Sequence, residues 1–109
     1  MEILHIPGCP HVELLRQRLT QALAEQAEKV EPIDRVITDL ASARTWRMTG
    51  SPTLLVDGVD PFAEPGLEPS ESCRLYRGEA GDLQGAPTVA ALRTALGLAE
   101  SGRDTNIRE

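Results

Sequence analysis

The chain has 109 residues, a formal net charge of −6 and two cysteines. That length makes one domain with a core of its own, and two cysteines are too few for a disulfide-stapled secreted scaffold. Its basic residues, Lys29 and otherwise arginines spread singly along the chain, form no cluster able to neutralise phosphates, so nucleic-acid and anionic-membrane partners are disfavoured. No apolar run approaches the roughly 18 residues of a membrane span, and the N-terminal residues lack the basic and apolar regions of a secretion signal. A cytoplasmic protein with reduced cysteines is expected.

Ile3, Leu4 and Ile6, ended by Pro7-Gly8, predict a buried strand over 2–6. From His11 to Lys29, Val12, Leu15, Leu19, Leu23, Ala27 and Val30 recur at spacings of three and four, which is one face of a helix that Pro32 terminates. Residues 34–39 predict a second strand around Val36 and Ile37, and 41–47 a short helix with Trp46, closed by Gly50. Thr53-Leu54-Leu55-Val56 is the strongest strand signal and runs into the turn pair Asp57-Gly58.

Residues 58–71 carry Pro61, Pro65 and Pro69 among Asp60, Glu64, Glu68 and Glu71, and read as a long irregular loop. Residues 72–77 predict a fourth strand and 78–85 a turn-rich loop. Pro87-Thr88 opens a last helix with Thr88 as its N-cap and Val89, Leu92 and Leu96 on one face. From Gly97 the chain is polar and is expected to fray, leaving a domain of residues 1–98 and a tail of 99–109. The order of elements predicts an α/β fold, with the first two strands parallel through a right-handed crossover and the last two antiparallel.

Cys9 lies between the first strand and the first long helix, in Pro7-Gly8-Cys9-Pro10-His11. A helix N-terminus presents unsatisfied N–H groups and a partial positive charge. That environment stabilises a thiolate and raises its reactivity at neutral pH. Pro10 suits the first helical position, where no N–H is needed, and a protonated His11 would stabilise the thiolate further. Read as packing, Cys9 is instead a small apolar residue that caps the core.

The strand, Cys9-Pro10-His11 and helix together resemble the active-site turn of thioredoxin-fold oxidoreductases, especially the bacterial disulfide oxidases. The stretch Met48-Thr49-Gly50-Ser51-Pro52-Thr53-Leu54-Leu55-Val56-Asp57-Gly58 is similar to the segment that leads, in those proteins, through a cis-proline into the third strand. The resemblance covers about residues 1–98. It implies a thioredoxin-like fold, a four-stranded mixed sheet in the order β-α-β-α-β-β-α with helices on both faces. It also implies Cys9 as the nucleophile, with Pro10, Ser51, Pro52 and Thr53 shaping a substrate groove. There a cis Ser51-Pro52 peptide leaves the backbone of Ser51 free to pair with an extended substrate. A thiol- or disulfide-bearing protein or a small thiol is the implied partner, and no cofactor is expected.

The fourth position of the motif is Val12, where thioredoxins carry a second cysteine. Two readings stay open. Cys9 acts alone through mixed disulfides, as in monothiol glutaredoxin-like proteins, or Cys73 resolves it, which needs Cα atoms within about 7 Å. Read as packing, Cys73 shares a core-facing strand face with Leu75. The 58–71 loop stands where Asp57-Gly58 would suit a tight hairpin, and Phe62 in it reads either as a lid over the cysteine or as an anchor tucked into the surface.

Glu71-Ser72-Cys73-Arg74-Leu75-Tyr76 resembles the segment holding the second cysteine in the thioredoxin-like domain of alkylmercury (organomercurial) lyases. This second resemblance implies Cys9 and Cys73 as ligands of a soft metal such as mercury, although the aspartate of those enzymes three residues after the first cysteine is Val12 here. His5 reads as a structural residue, and neither zinc nor calcium spacing is present. A binding module of the same fold without chemistry is the third reading.

Overall fold

The structure, a computed structural model, describes residues 1–24, 26 and 31–98. Its elements in chain order are β1 (Glu2–His5), α1 (Val12–Ala22), β2 (Ile33–Val36), α2 (Leu40–Trp46), β3 (Thr49–Ser51), β4 (Thr53–Leu55), β5 (Ser70–Cys73), β6 (Tyr76–Arg77), β7 (Leu83–Gln84) and α3 (Val89–Ala95). This is a mixed α/β arrangement. β1 lies between β2, its parallel neighbour, and β4, its antiparallel one.

Side-chain alternation along β1 splits the core in two. Ile3 stands opposite Leu54, and both pack with Leu15, Leu19 and Ala22 of α1 and Leu92 of α3. Leu4 and Leu55 point to the other face and pack with Ile37, Ala43 of α2 and Met48. The sheet therefore has α1 and α3 on one side and α2 on the other. Each fully buried Leu or Ile here contributes about 1.5–3 kcal/mol, which makes these two clusters the main source of stability.

Capping follows the local sequence. Asp39 accepts the Ser42 N–H at 2.7 Å at the start of α2, and Thr88 accepts the Ala91 N–H at 3.0 Å at the start of α3. α1 has no basic residue in its last turn, and Arg93 of α3 supplies one from outside, donating to the Ala22 carbonyl at 2.9 Å. α3 closes with paired bonds from Gly97 N–H to Thr94 O and from Leu98 N–H to Arg93 O. Gly97 and Leu98 are thus an ordered helix stop and not the start of a fraying tail. The tail itself, 99–109, and residues 25 and 27–30 of the expected first helix lie outside the described residues.

Several expectations are corrected. The central sheet has three strands among the described residues, where four were expected. The chain after β4 does turn tightly at Asp57-Gly58, with φ of 53° and 78° and reciprocal Val56–Val59 hydrogen bonds. It does not return alongside β4. The segment 72–77 is divided: β5 pairs in parallel with β3, and β6 pairs antiparallel with β7.

This division goes with the acceptors that Thr49, Asp60 and Phe62 offer to Arg74. Arg74 and Tyr76 face inward at 6% exposure each, whereas Cys73 and Leu75 face out. The period of two is as expected, and the buried face is the opposite one, so Cys73 is not a core residue. Gly50 does not close α2. That role belongs to Arg47, in a left-handed conformation at φ 65°. Gly50, at φ 115°, instead lets β5 approach, because a Cβ there would lie 2.7 Å from the Cβ of Arg74. No helix among the described residues is long and apolar enough to cross a membrane.

Candidate functional site

β1 delivers the chain to the Cys9 turn, and hydrophobic burial of Ile3 and Leu4 fixes where that turn lies. Cys9 is 7% exposed, and its N–H donates to Ile6 O at 3.3 Å. α1 begins at Val12 with His11 as N-cap, so Pro10 precedes the cap and does not occupy the first helical position as expected. The His11 side chain caps nothing. Its ring packs against Gly85, where a Cβ would overlap it, and its buried Nδ1 has no hydrogen-bond partner among the described residues.

The turn is tied to the second expected motif by one hydrogen bond. The Ile6 N–H donates to Ser51 Oγ at 3.0 Å, and the Ser51-Pro52 peptide is cis. Beyond it, Tyr76 donates its phenol O–H to Pro52 O at 2.5 Å. Burial raises the Tyr76 phenol well above its ordinary range. The Arg74 charge opposes this, and negative charge on Asp60 and on Cys9 adds to it. Two hydrogen bonds make the assembly of turn, proline and tyrosine, Ile6 to Ser51 and Tyr76 to Pro52.

Arg74 anchors that assembly to the 58–71 loop. Its Nη1 donates to Asp60 Oδ2 at 2.7 Å and to Thr49 Oγ1 at 3.0 Å, and its Nη2 donates to Phe62 O at 2.7 Å. Its guanidinium also lies over the Tyr76 ring, 4.7 Å from the centroid. Phe62 meets the edge of the same ring, with centroids 5.7 Å apart. Phe62 is half-buried, and it also lines the cavity beside Cys73. Arg74, Asp60 and Tyr76 were not identified from sequence. The signal was present in the alternation of Arg74 and Tyr76 along the strand, but an arginine at a core position is the opposite of what burial statistics suggest.

The expected substrate groove is not open. Ser51 and Thr53 are 0% exposed, and Pro52 is fully buried. The Thr53 hydroxyl is satisfied internally by Gly50 O at 2.5 Å. The backbone of Ser51 is not free either, since its carbonyl accepts the Arg74 N–H at 3.0 Å.

Cys73 is exposed and stands in register beside Ser51. It lines a cavity of about 610 Å³ with Phe62, Leu67, Leu75 and Leu83, and Cys9 is not among that cavity's walls. Both cysteines are free thiols. His5 is buried, with Nδ1 bonded to Ile6 O at 3.1 Å and Nε2 3.8 Å from Asp34 Oδ2. Asp34 is also paired with Arg16.

Comparison with protein families, with curated proteins and with solved structures finds no match to this chain.

Proposed function

We propose that this chain is a small thioredoxin-like thiol protein in which Cys9 alone is the reacting group of thiol–disulfide exchange. The observation that carries this reading is the Ile6–Ser51 hydrogen bond. It joins the cysteine turn to the proline segment across 45 residues, so the two motifs that suggested the chemistry meet in one place. Cys9 stands in the turn between β1 and α1, two residues before the His11 N-cap. Val12 offers no second thiol within the turn, and the cavity that Cys73 lines does not include Cys9. Mixed-disulfide chemistry at one cysteine is the consistent account.

A direct test is exchange of a small disulfide with dithiothreitol as reductant, comparing Cys9→Ser with Cys73→Ser. Activity that persists in Cys73→Ser and vanishes in Cys9→Ser supports the proposal. Loss in Cys73→Ser would show that the second thiol is required, and no activity in either the parent or the variants would leave a binding module as the better reading.

A further inference from the structure

An extended polypeptide docks by pairing its backbone with a free strand edge. The strand joined to the Cys9 turn is β3, through Ser51; β5 takes one of its two edges, and Ser51 itself is 0% exposed. β5 runs along it in parallel, with the Ser70 N–H on Met48 O at 2.9 Å and the Arg74 N–H on Ser51 O at 3.0 Å. β5 is held there by Arg74, which reaches Asp60, Thr49 and Phe62 from a 6% exposed position, and by the close approach that Gly50 permits. Ser51, Pro52 and Thr53 are buried, and Cys9 shows only 7% of its surface.

We infer that the reaction partner of Cys9 is a low-molecular-weight disulfide or thiol and not an extended polypeptide. This rests on Cys9 being the reactive group proposed above. In the exchange, the Cys9 thiolate attacks one sulfur of R–S–S–R. The Cys9–S–S–R bond forms, the original S–S bond breaks, and R–S⁻ leaves and takes a proton from water. A second small thiolate R′–S⁻ then attacks the R sulfur, giving R–S–S–R′ and returning the Cys9 thiolate. The small disulfide is the oxidant, the small thiol the reductant, and the protein is unchanged.

The test uses the full chain with Cys73→Ser and two probes. One is bis(2-hydroxyethyl) disulfide. The other is a short unstructured peptide whose central cysteine carries the same 2-hydroxyethyl disulfide. Adduct formation on Cys9 is followed by intact mass, and each rate is normalised to that of N-acetylcysteine with the same probe. The expected result is a normalised rate about tenfold or more higher for the small disulfide. An equal or faster peptide would overturn the inference. If neither probe modifies the native protein while both modify it in urea, the reactive-cysteine reading fails first and takes the inference with it. Asp60→Asn, which weakens the anchor of β5 but keeps an acceptor at that position, is expected to raise the peptide rate and leave the small-disulfide rate unchanged. A peptide rate that does not move would overturn β5 as the block.

Discussion

Replacing Asp60 with alanine leaves the Arg74 guanidinium inside the protein without its counter-charge. The two side chains are 6% and 12% exposed, and the Nη1–Oδ2 distance is 2.7 Å, so solvent cannot compensate for the loss. Breaking one partner of such a buried pair costs about 3–5 kcal/mol. The lower end applies here, because Thr49 Oγ1 and Phe62 O remain as acceptors for the same guanidinium. The Phe62 N–H also loses Asp60 Oδ1, its acceptor at 2.8 Å, which adds about 1 kcal/mol. The expected total is about 4 kcal/mol, a large share of the ~5–15 kcal/mol that holds a domain of this size. Urea unfolding measures it as a fall in midpoint at constant slope. Arg74→Met in the same chain removes the stranded charge, and the double variant is expected to recover about half of the loss or more. A cost for Asp60→Ala below about 1 kcal/mol, or a double variant less stable than Asp60→Ala alone, would refute the claim that this pair anchors the loop.

Tyr76 gives a prediction at high pH. Its folded phenol is raised by burial, so above about pH 10 the unfolded chain loses the proton first, and stability falls by about 1.4 kcal/mol per pH unit until the folded group titrates. Tyr76→Phe removes that slope in urea titrations taken between pH 9 and 11, and an unchanged slope would contradict the assignment. Asp39 acts at the other end of the scale. The Ser42 N–H holds its carboxyl below the usual range, so its contribution is present above about pH 4 and is lost as pH falls through the folded value. Asp39→Ala should therefore destabilise the protein at pH 7 and have no such effect once the carboxyl is protonated, with thermal unfolding at the two pH values as the check. Gly85→Ala drives a methyl into the His11 ring and should cost about 1–3 kcal/mol. His11→Ala in the same chain should relieve most of that cost, and a fully additive pair would show that the two do not touch.

The first strand, the first helix and the last helix are legible because they carry their signals in simple apolar periods and a cap residue. Ile3 and Leu4, the Leu15 and Leu19 spacing in α1, and the Thr88 cap of α3 all appear where the sequence puts them. The loop and the strand after it were read with the wrong face inward. Cys73 and Leu75 have the hydrophobicity of core residues, yet the structure buries Arg74 and Tyr76. That choice depends on Asp60 and Phe62, more than ten residues earlier, which supply the acceptors that make an arginine tolerable inside. No local pattern reports such a long-range network. Of the candidate site, the cysteine turn and the proline segment were identified and do meet. Their closure by β5 was missed, because strand pairing between 49–51 and 70–73 leaves no mark on periodicity.

The measurement that bears most directly on the central claim is the rate of mixed-disulfide formation at Cys9 in the Cys73→Ser chain at neutral pH, native against urea-unfolded. If the turn activates the thiol, the native protein reacts faster than the unfolded chain despite the 7% exposure of Cys9. A native rate well below the unfolded one would contradict the account and make Cys9 a packed core residue.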